Sequence, residues 1–165
     1  MNDPIPPALA GFLTSHLSMH VAAGCGDGLA TLVRAVGARI APEAPHCLRL
    51  LVPRAQAVDL IEAISAGAPV AAVFNEPETH RTVQLKCARA EVVAAEAADV
   101  ATLAPYVRAM AARLRAFGTP EPYAHTVLAC APDEVVVIRL APEAVFGQSP
   151  GPRAGERMAP GAPLP

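Results

Sequence analysis

Arginine is the residue type whose placement in this sequence comes nearest to suggesting a site. Arg34 stands in the middle of an apolar run, with Leu32 and Val33 before it and Ala35 and Val36 after it. A guanidinium embedded in an apolar strand wants a partner for its charge; the alternative is that it lies on the solvent face, where most charged residues are found. Arg54 and Gln56 follow Pro53, just ahead of a helical pattern. A helix N-terminus favours anions, and an ordinary exposed loop is the competing reading. The planar fork of arginine can bind two oxygens of a phosphate at once. His80 lies in a loop from which it could donate a hydrogen bond or a proton, although a plain loop histidine is the simpler account.

Other constellations fall short. His16 and His20 have the i, i+4 spacing of a helical metal pair, but residue 17 is Leu17, not the glutamate of a zinc-protease motif. His20 also falls in an alternating segment, where that spacing means about 13 Å. No metal is expected. Gly24, Gly26 and Gly28 imitate a nucleotide-binding loop without a helix after them, and a hairpin turn explains them better. No GxSxG or Cys/His/Asp arrangement points to a hydrolase. Cys25, Cys47, Cys87 and Cys130 form no CxxC pair and read as buried thiols in a reducing compartment.

Composition narrows the classes further. The 165 residues are 53% hydrophobic and only 17% charged, with a net charge of −2. A core is easily supplied, and so sparse a surface charge hints at a partner subunit. The thirteen basic residues are scattered and there is no Trp, so nucleic-acid binding has no support. No apolar run reaches the roughly 20 residues that span a bilayer. The start, MNDPIPPALAGFL, lacks the basic and apolar regions of a signal peptide, and the cytoplasm is the expected compartment.

Hydropathy patterns place these residues on elements. Residues 7–15 predict a short helix. Residues 17–23 alternate, with Leu17, Met19, Val21 and Ala23 on one side, and predict a strand. A turn leads to a second strand over 29–40, then a third over 46–52. Residues 56–65 have helical spacing, with Val58, Ile61 and Ile64 as an apolar stripe. Residues 70–75 suit a central strand, and 81–93 open with Val83, Leu85 and Cys87 opposing Thr82, Gln84 and Lys86. The clearest helix is 99–117, closed by Gly118 and Pro120. A β-branched strand follows over 134–140. Residues 1–147 form the expected domain, and 148–165 a Pro/Gly-rich tail whose end is expected to be disordered. Tight turns between strands argue for antiparallel pairing, and closing six or seven such strands removes their edges. The expected fold is a small antiparallel barrel with flanking helices.

This layout resembles the pyridoxamine 5'-phosphate oxidase-like family of FMN-binding split barrels. The resemblance rests on LVRAVGARI (32–40), VPRAQAVDLIEAI (52–64), VAAVFNEPETHRTVQLK (70–86) and VFGQSPGPRAG (145–155), taken in order over residues 10–155. It implies a homodimer with FMN at the interface, two sites per dimer. By position, Arg34 on the second strand and Arg54 and Gln56 in the loop after the third would hold the phosphate. Arg81 and Thr82 fall where the family places flavin-contacting polar residues. The oxidase itself usually has Gln at the position of Thr82 and Gly at that of Cys87, and its C-terminal Arg/His pattern for substrate is not evident here.

A flavin carries its own redox chemistry while the protein positions it, so binding residues but no catalytic acid or base are assigned. The resemblance implies an FMN-dependent oxidoreductase acting on a small molecule. The alternatives are a non-catalytic flavin or haem binder on the same dimer and a cofactor-free dimer. FAD and a deazaflavin stay open as cofactors. Haem needs an axial ligand, for which His20, His46, His80 and His125 are available. The GPRAG segment, with Arg153, is expected to fold over the partner subunit or the flavin edge.

Overall fold

A computed structural model describes residues 5–24, 28–159 and 161–165. The first four residues, Cys25 and the heart of the glycine turn, including Gly26, lie outside the described residues. A first helix, α1 (Pro7–Leu13), leads into nine strands: β1 (Ser18–Gly24), β2 (Ala30–Ala35), β3 (Gly37–Ile40), β4 (Leu48–Pro53), β5 (Val70–Asn75), β6 (Thr82–Cys87), β7 (Ala90–Val93), β8 (Val135–Leu140) and β9 (Ala144–Gly147). Four more helices are α2 (Val58–Ser65), α3 (Ala97–Val100), α4 (Leu103–Arg115) and α5 (Glu121–Leu128).

The strands form two antiparallel sheets, β2-β1-β5-β6-β9 and β3-β4-β8-β7, which enclose one core without closing into a continuous barrel. This is a split-barrel α+β fold. Six strands were expected and nine are described, because two long expected strands each divide and one was unforeseen. The run 29–40 breaks at Val36, so β2 pairs with β1 in one sheet while β3 pairs with β4 in the other. The run 81–93 breaks likewise between β6 and β7. Both halves of each run are strand-prone, and the break lies where the chain passes from one sheet to the other.

Alternation in β1 is as the sequence predicts, with Met19, Val21 and Ala23 buried; in β6 Val83, Leu85 and Cys87 are buried as expected, and Thr82, expected on the other side, is buried as well. Strands β4 and β8 bury nearly every residue, because packed elements cover both faces. In α2 the buried residues are Leu60, Ala63 and Ile64 while Val58 is exposed, so the inward stripe is rotated from the one expected.

The helix expected over 99–117 is two helices, α3 and α4. Pro105 explains the break: proline lacks an N–H and its ring collides with the carbonyl four residues back, so it is tolerated only in a first turn. It occupies the third position of α4. Phe117, the last residue of the expected helix, is past the helix end and exposed. Helix α5 follows Pro120 as its N-cap and carries Pro122 in its first turn, a start signal in the sequence that periodicity alone passes over.

Gly37 sits just past the crossing from β2 to β3, where Val36 N–H donates to the Leu51 carbonyl at 2.8 Å. A Cβ on Gly37 would lie 2.7 Å from Thr102 Oγ1 and 3.5 Å from the Leu51 methyls. Thr102 Oγ1 is itself donating to the Asp99 carbonyl. Gly37→Ala is therefore expected to cost about 1–3 kcal/mol through overpacking, read as a lower urea midpoint. An unchanged midpoint would mean that Thr102 turns away freely.

Candidate functional site

Contact between β2 and β4 decides where the arginines meet. The Val36–Leu51 hydrogen bond lays the end of β2 against β4, and the short 3₁₀ turn Arg54–Gln56 follows directly at Pro53. Arg34, Arg54 and Gln56 thereby line one cleft of about 530 Å³. The rest of its lining includes Val127 of α5, Cys130 just after it, and Asp133 and Glu134 of the 3₁₀ turn Pro132–Glu134, which runs into β8 beside the end of β4. Val58 and Val127, both about half exposed, supply apolar surface. Such a volume and mixed lining suit a small organic ligand.

Arg34 is half-buried on the face of β2 opposite Val33 and Ala35. Its cross-strand partner is His20 of β1. Burial lowers the His20 pKa and the Arg34 charge lowers it further, so this imidazole is neutral at pH 7 and does not compete for an anion. Behind Arg34 lies Tyr106 of α4, fully buried, its ring edge-on to His16 at 6.4 Å. Burial pushes the phenol up to about 12 against the pull of the nearby guanidinium. The hydroxyl makes no hydrogen bond of normal geometry. Among the described residues no carboxylate lies within ion-pair distance of Arg34 or Arg54. That distinguishes them from Arg39, Arg49, Arg81, Arg113, Arg115 and Arg139, all of which are ion-paired.

Arg81 and Thr82 are elsewhere. They stand at the start of β6, separated from β2 by β1 and β5, about 14 Å across the sheet at ordinary strand spacing. The Arg81 guanidinium lies 4.8 Å over the Phe12 ring with Nε 3.6 Å from Glu76. The Thr82 hydroxyl donates to the His80 carbonyl and accepts from Asn75 Nδ2. Thr82 N–H donates to Ser149 Oγ, and its carbonyl accepts from Gln148 N–H. The chain itself thus engages Thr82 fully, leaving Arg81 Nε as the buried polar atom there without a hydrogen bond.

The C-terminal segment turns back on β9. Gly155 N–H donates to the Gly147 carbonyl and Met158 N–H to Val145, which encloses a second cavity of about 440 Å³ beside exposed Arg153. The histidines are dispersed: His80 is at an exposed turn with φ 58°, and His125 is on α5 beside Glu121. Among the described residues no three His, Cys, Asp or Glu side chains cluster at metal-binding distance. No described helix is long and apolar enough to cross a membrane.

The rest of the cleft lining was missed from sequence. Its one advance signal is the proline-marked start of α5; nothing local shows that Asp133 and Glu134 would line the same cleft as Arg34.

The architecture is that of the pyridoxamine 5'-phosphate oxidase-like split barrels. A putative pyridoxamine 5'-phosphate oxidase from Lactobacillus delbrueckii superposes with a TM-score of 0.52 over 87% of this chain and 93% of its own, at 20% identity. HupZ of Group A Streptococcus gives 0.50 over 88% and 96% at 14% identity. An F420 reductase gives 0.50 over 86% and 98% at 16% identity. These likenesses are of fold. No family model matches the chain, and no curated protein matches it.

Proposed function

We propose that this chain is an FMN-binding flavoprotein, an oxidoreductase acting on a small molecule as a cytoplasmic homodimer. The observation that carries the reading is the meeting of Arg34, Arg54 and Gln56 in one cleft, with neither arginine ion-paired among the described residues. Two guanidinium forks and a side-chain amide are a donor set suited to a phosphate monoester. When bound, FMN supplies the electron and hydride transfer at its ring.

The chain's own residues bind and orient. Arg34, anchored mid-strand, holds a fixed direction, while Arg54 on the turn closes over the anion and Gln56 donates an amide hydrogen bond. Val58 and Val127 exclude water from the less polar part of the ligand. Arg81 and Thr82 remain proposed contacts for the far end of the cofactor. Leu32, 67% exposed on the edge strand β2, favours a second copy as neighbour, because covering it removes apolar area from water.

The deciding comparison is FMN against riboflavin, which lacks only the phosphate, titrated by quenching of flavin fluorescence. FMN is expected to bind at least about tenfold more tightly, the margin shrinking as salt screens the arginines. Equal affinities would overturn the phosphate assignment. Sedimentation of the same samples should give twice the 17.0 kDa chain mass.

A further inference from the structure

Tyr106 stands on the core face of α4 with Leu103, Val107, Met110 and Ala111, and its side chain is fully buried. Phenylalanine would fill the same space. The tyrosine hydroxyl adds a polar atom that costs free energy unless it is partnered. Among the described residues it is one of two buried side-chain polar atoms without a hydrogen bond. Arg34 stands beside it. The guanidinium acts on the phenol through its charge and as a hydrogen-bond donor, without reaching the geometry of a normal bond.

Arg34 has the complementary deficit. It is half-buried, and no carboxylate among the described residues pairs with it. Its cross-strand neighbour His20 is kept neutral and offers no balancing charge. A carboxylate in the place of the phenol would aim the guanidinium but also cancel its charge. A phenol oxygen accepts a hydrogen bond and leaves the charge whole. Burial pushes this phenol up to about 12, so it stays neutral throughout the physiological range.

We propose that Tyr106 is a positioning residue: its hydroxyl oxygen accepts from one edge of the Arg34 guanidinium and so fixes the direction in which the other edge meets an anion in the cleft. This inference rests on the phosphate reading above. A small turn of the guanidinium completes the contact, and the buried helix face holds the phenol still while it does so. Tyr106 touches no ligand itself and acts through Arg34 alone.

The test titrates the full-length chain, Tyr106→Phe, Arg34→Ala, Arg54→Ala and the doubles Y106F/R34A and Y106F/R54A with FMN and with riboflavin. Tyr106→Phe is expected to weaken FMN binding about three- to tenfold, as for loss of one hydrogen bond, and to leave riboflavin affinity unchanged. It should have no further effect once Arg34 is alanine, and its full effect when Arg54 is. The thermal midpoint of Tyr106→Phe should stay level or rise, because phenylalanine fills the core without burying a hydroxyl. Hydrogen exchange of arginine side chains, followed by nitrogen-15 NMR, needs no ligand. The Arg34 Nε–H signal, assigned by its absence in Arg34→Ala, should exchange more slowly than that of exposed Arg153 and lose protection in Tyr106→Phe. Wild-type FMN affinity in a folded Tyr106→Phe, equal losses of FMN and riboflavin, or the same loss with Arg34 already removed would each overturn the inference and leave the phosphate reading standing. If Tyr106→Phe melts early, the wild-type signal decides: exchange as fast as that of Arg153 would overturn the inference. A wild-type protein that binds FMN and riboflavin equally would overturn both readings.

Discussion

Asp99→Asn is expected to remove about 3–5 kcal/mol of folding stability, the usual consequence of taking one partner from a buried ion pair. Three arginines lie in one row across the four-stranded sheet, since Arg39 is the register partner of Arg49 and Arg49 that of Arg139. Adjacent like charges in such a row repel unless anions intervene. Asp99, with a completely buried side chain, accepts from Arg49 at 2.6 Å and from Arg39 Nε at 2.8 Å. It also accepts the Glu96 backbone N–H at 2.9 Å. Glu96 adds a further carboxylate to both arginines, and Glu91 pairs with Arg139. In the variant Arg49, only 7% exposed, would keep its charge with the half-exposed Glu96 alone. Urea denaturation at pH 7 reads the loss, and a change below about 1 kcal/mol would show that the row tolerates itself.

The same group gives a pH dependence with a definite sign. Burial pushes the Asp99 carboxyl up, but hydrogen bonds from Arg49, the Glu96 backbone and Arg39 outweigh it and hold the pKa at about 2. A carboxylate with a depressed folded-state pKa contributes stability that is complete above its unfolded value near 4 and disappears as pH falls through the folded one. Between pH 5 and pH 2 the wild type should therefore lose roughly 2 kcal/mol from this group, and Asp99→Asn should not show that component. Parallel acid-denaturation slopes for the two proteins would contradict the assignment.

Arg34→Ala and Arg54→Ala are expected to weaken FMN binding by about ten- to a hundredfold each, as for loss of a hydrogen-bonded charge at a phosphate. Because both act on one anion, their effects need not add, but the double variant should fall at least about a hundredfold. Riboflavin affinity should hardly move in any of them, which separates loss of phosphate contact from general damage to the cleft. Arg34→Lys should lie between, keeping the charge but losing the planar fork. Thermal melts guard against a trivial outcome, since Arg34 is half-buried beside Tyr106. Wild-type FMN affinity in Arg34→Ala would remove the central member of the proposed site.

Much of this molecule follows from local pattern. Period two in residues 17–23 and 83–87 assigns which side chains are buried whatever strand lies alongside, because alternation sends successive side chains to opposite faces. The helical spacing in 58–65 marks α2 in the same way, although its inward face is rotated. Pro105 shows a local signal outweighed by periodicity: the apolar stripe runs through it, but its missing N–H ends one helix and begins another. The passage of a strand from sheet to sheet at Val36 has no comparable mark, because which partner takes each half is settled by contacts distant in the chain.

For the site the division is sharper. Sequence alone picked out Arg34, Arg54 and Gln56 as residue types suited to an anion, but left open whether Arg34 faced solvent or a partner. Packing of β2 against β4 brings them into one cleft, while β1 and β5 keep Arg81 and Thr82 away from it, and α5 with the turn after it supplies the rest of the lining. Local sequence determined side-chain chemistry and burial period, which depend on near neighbours; the tertiary structure alone decided which charges share a cleft, because that depends on segments nearly a hundred residues apart being packed together.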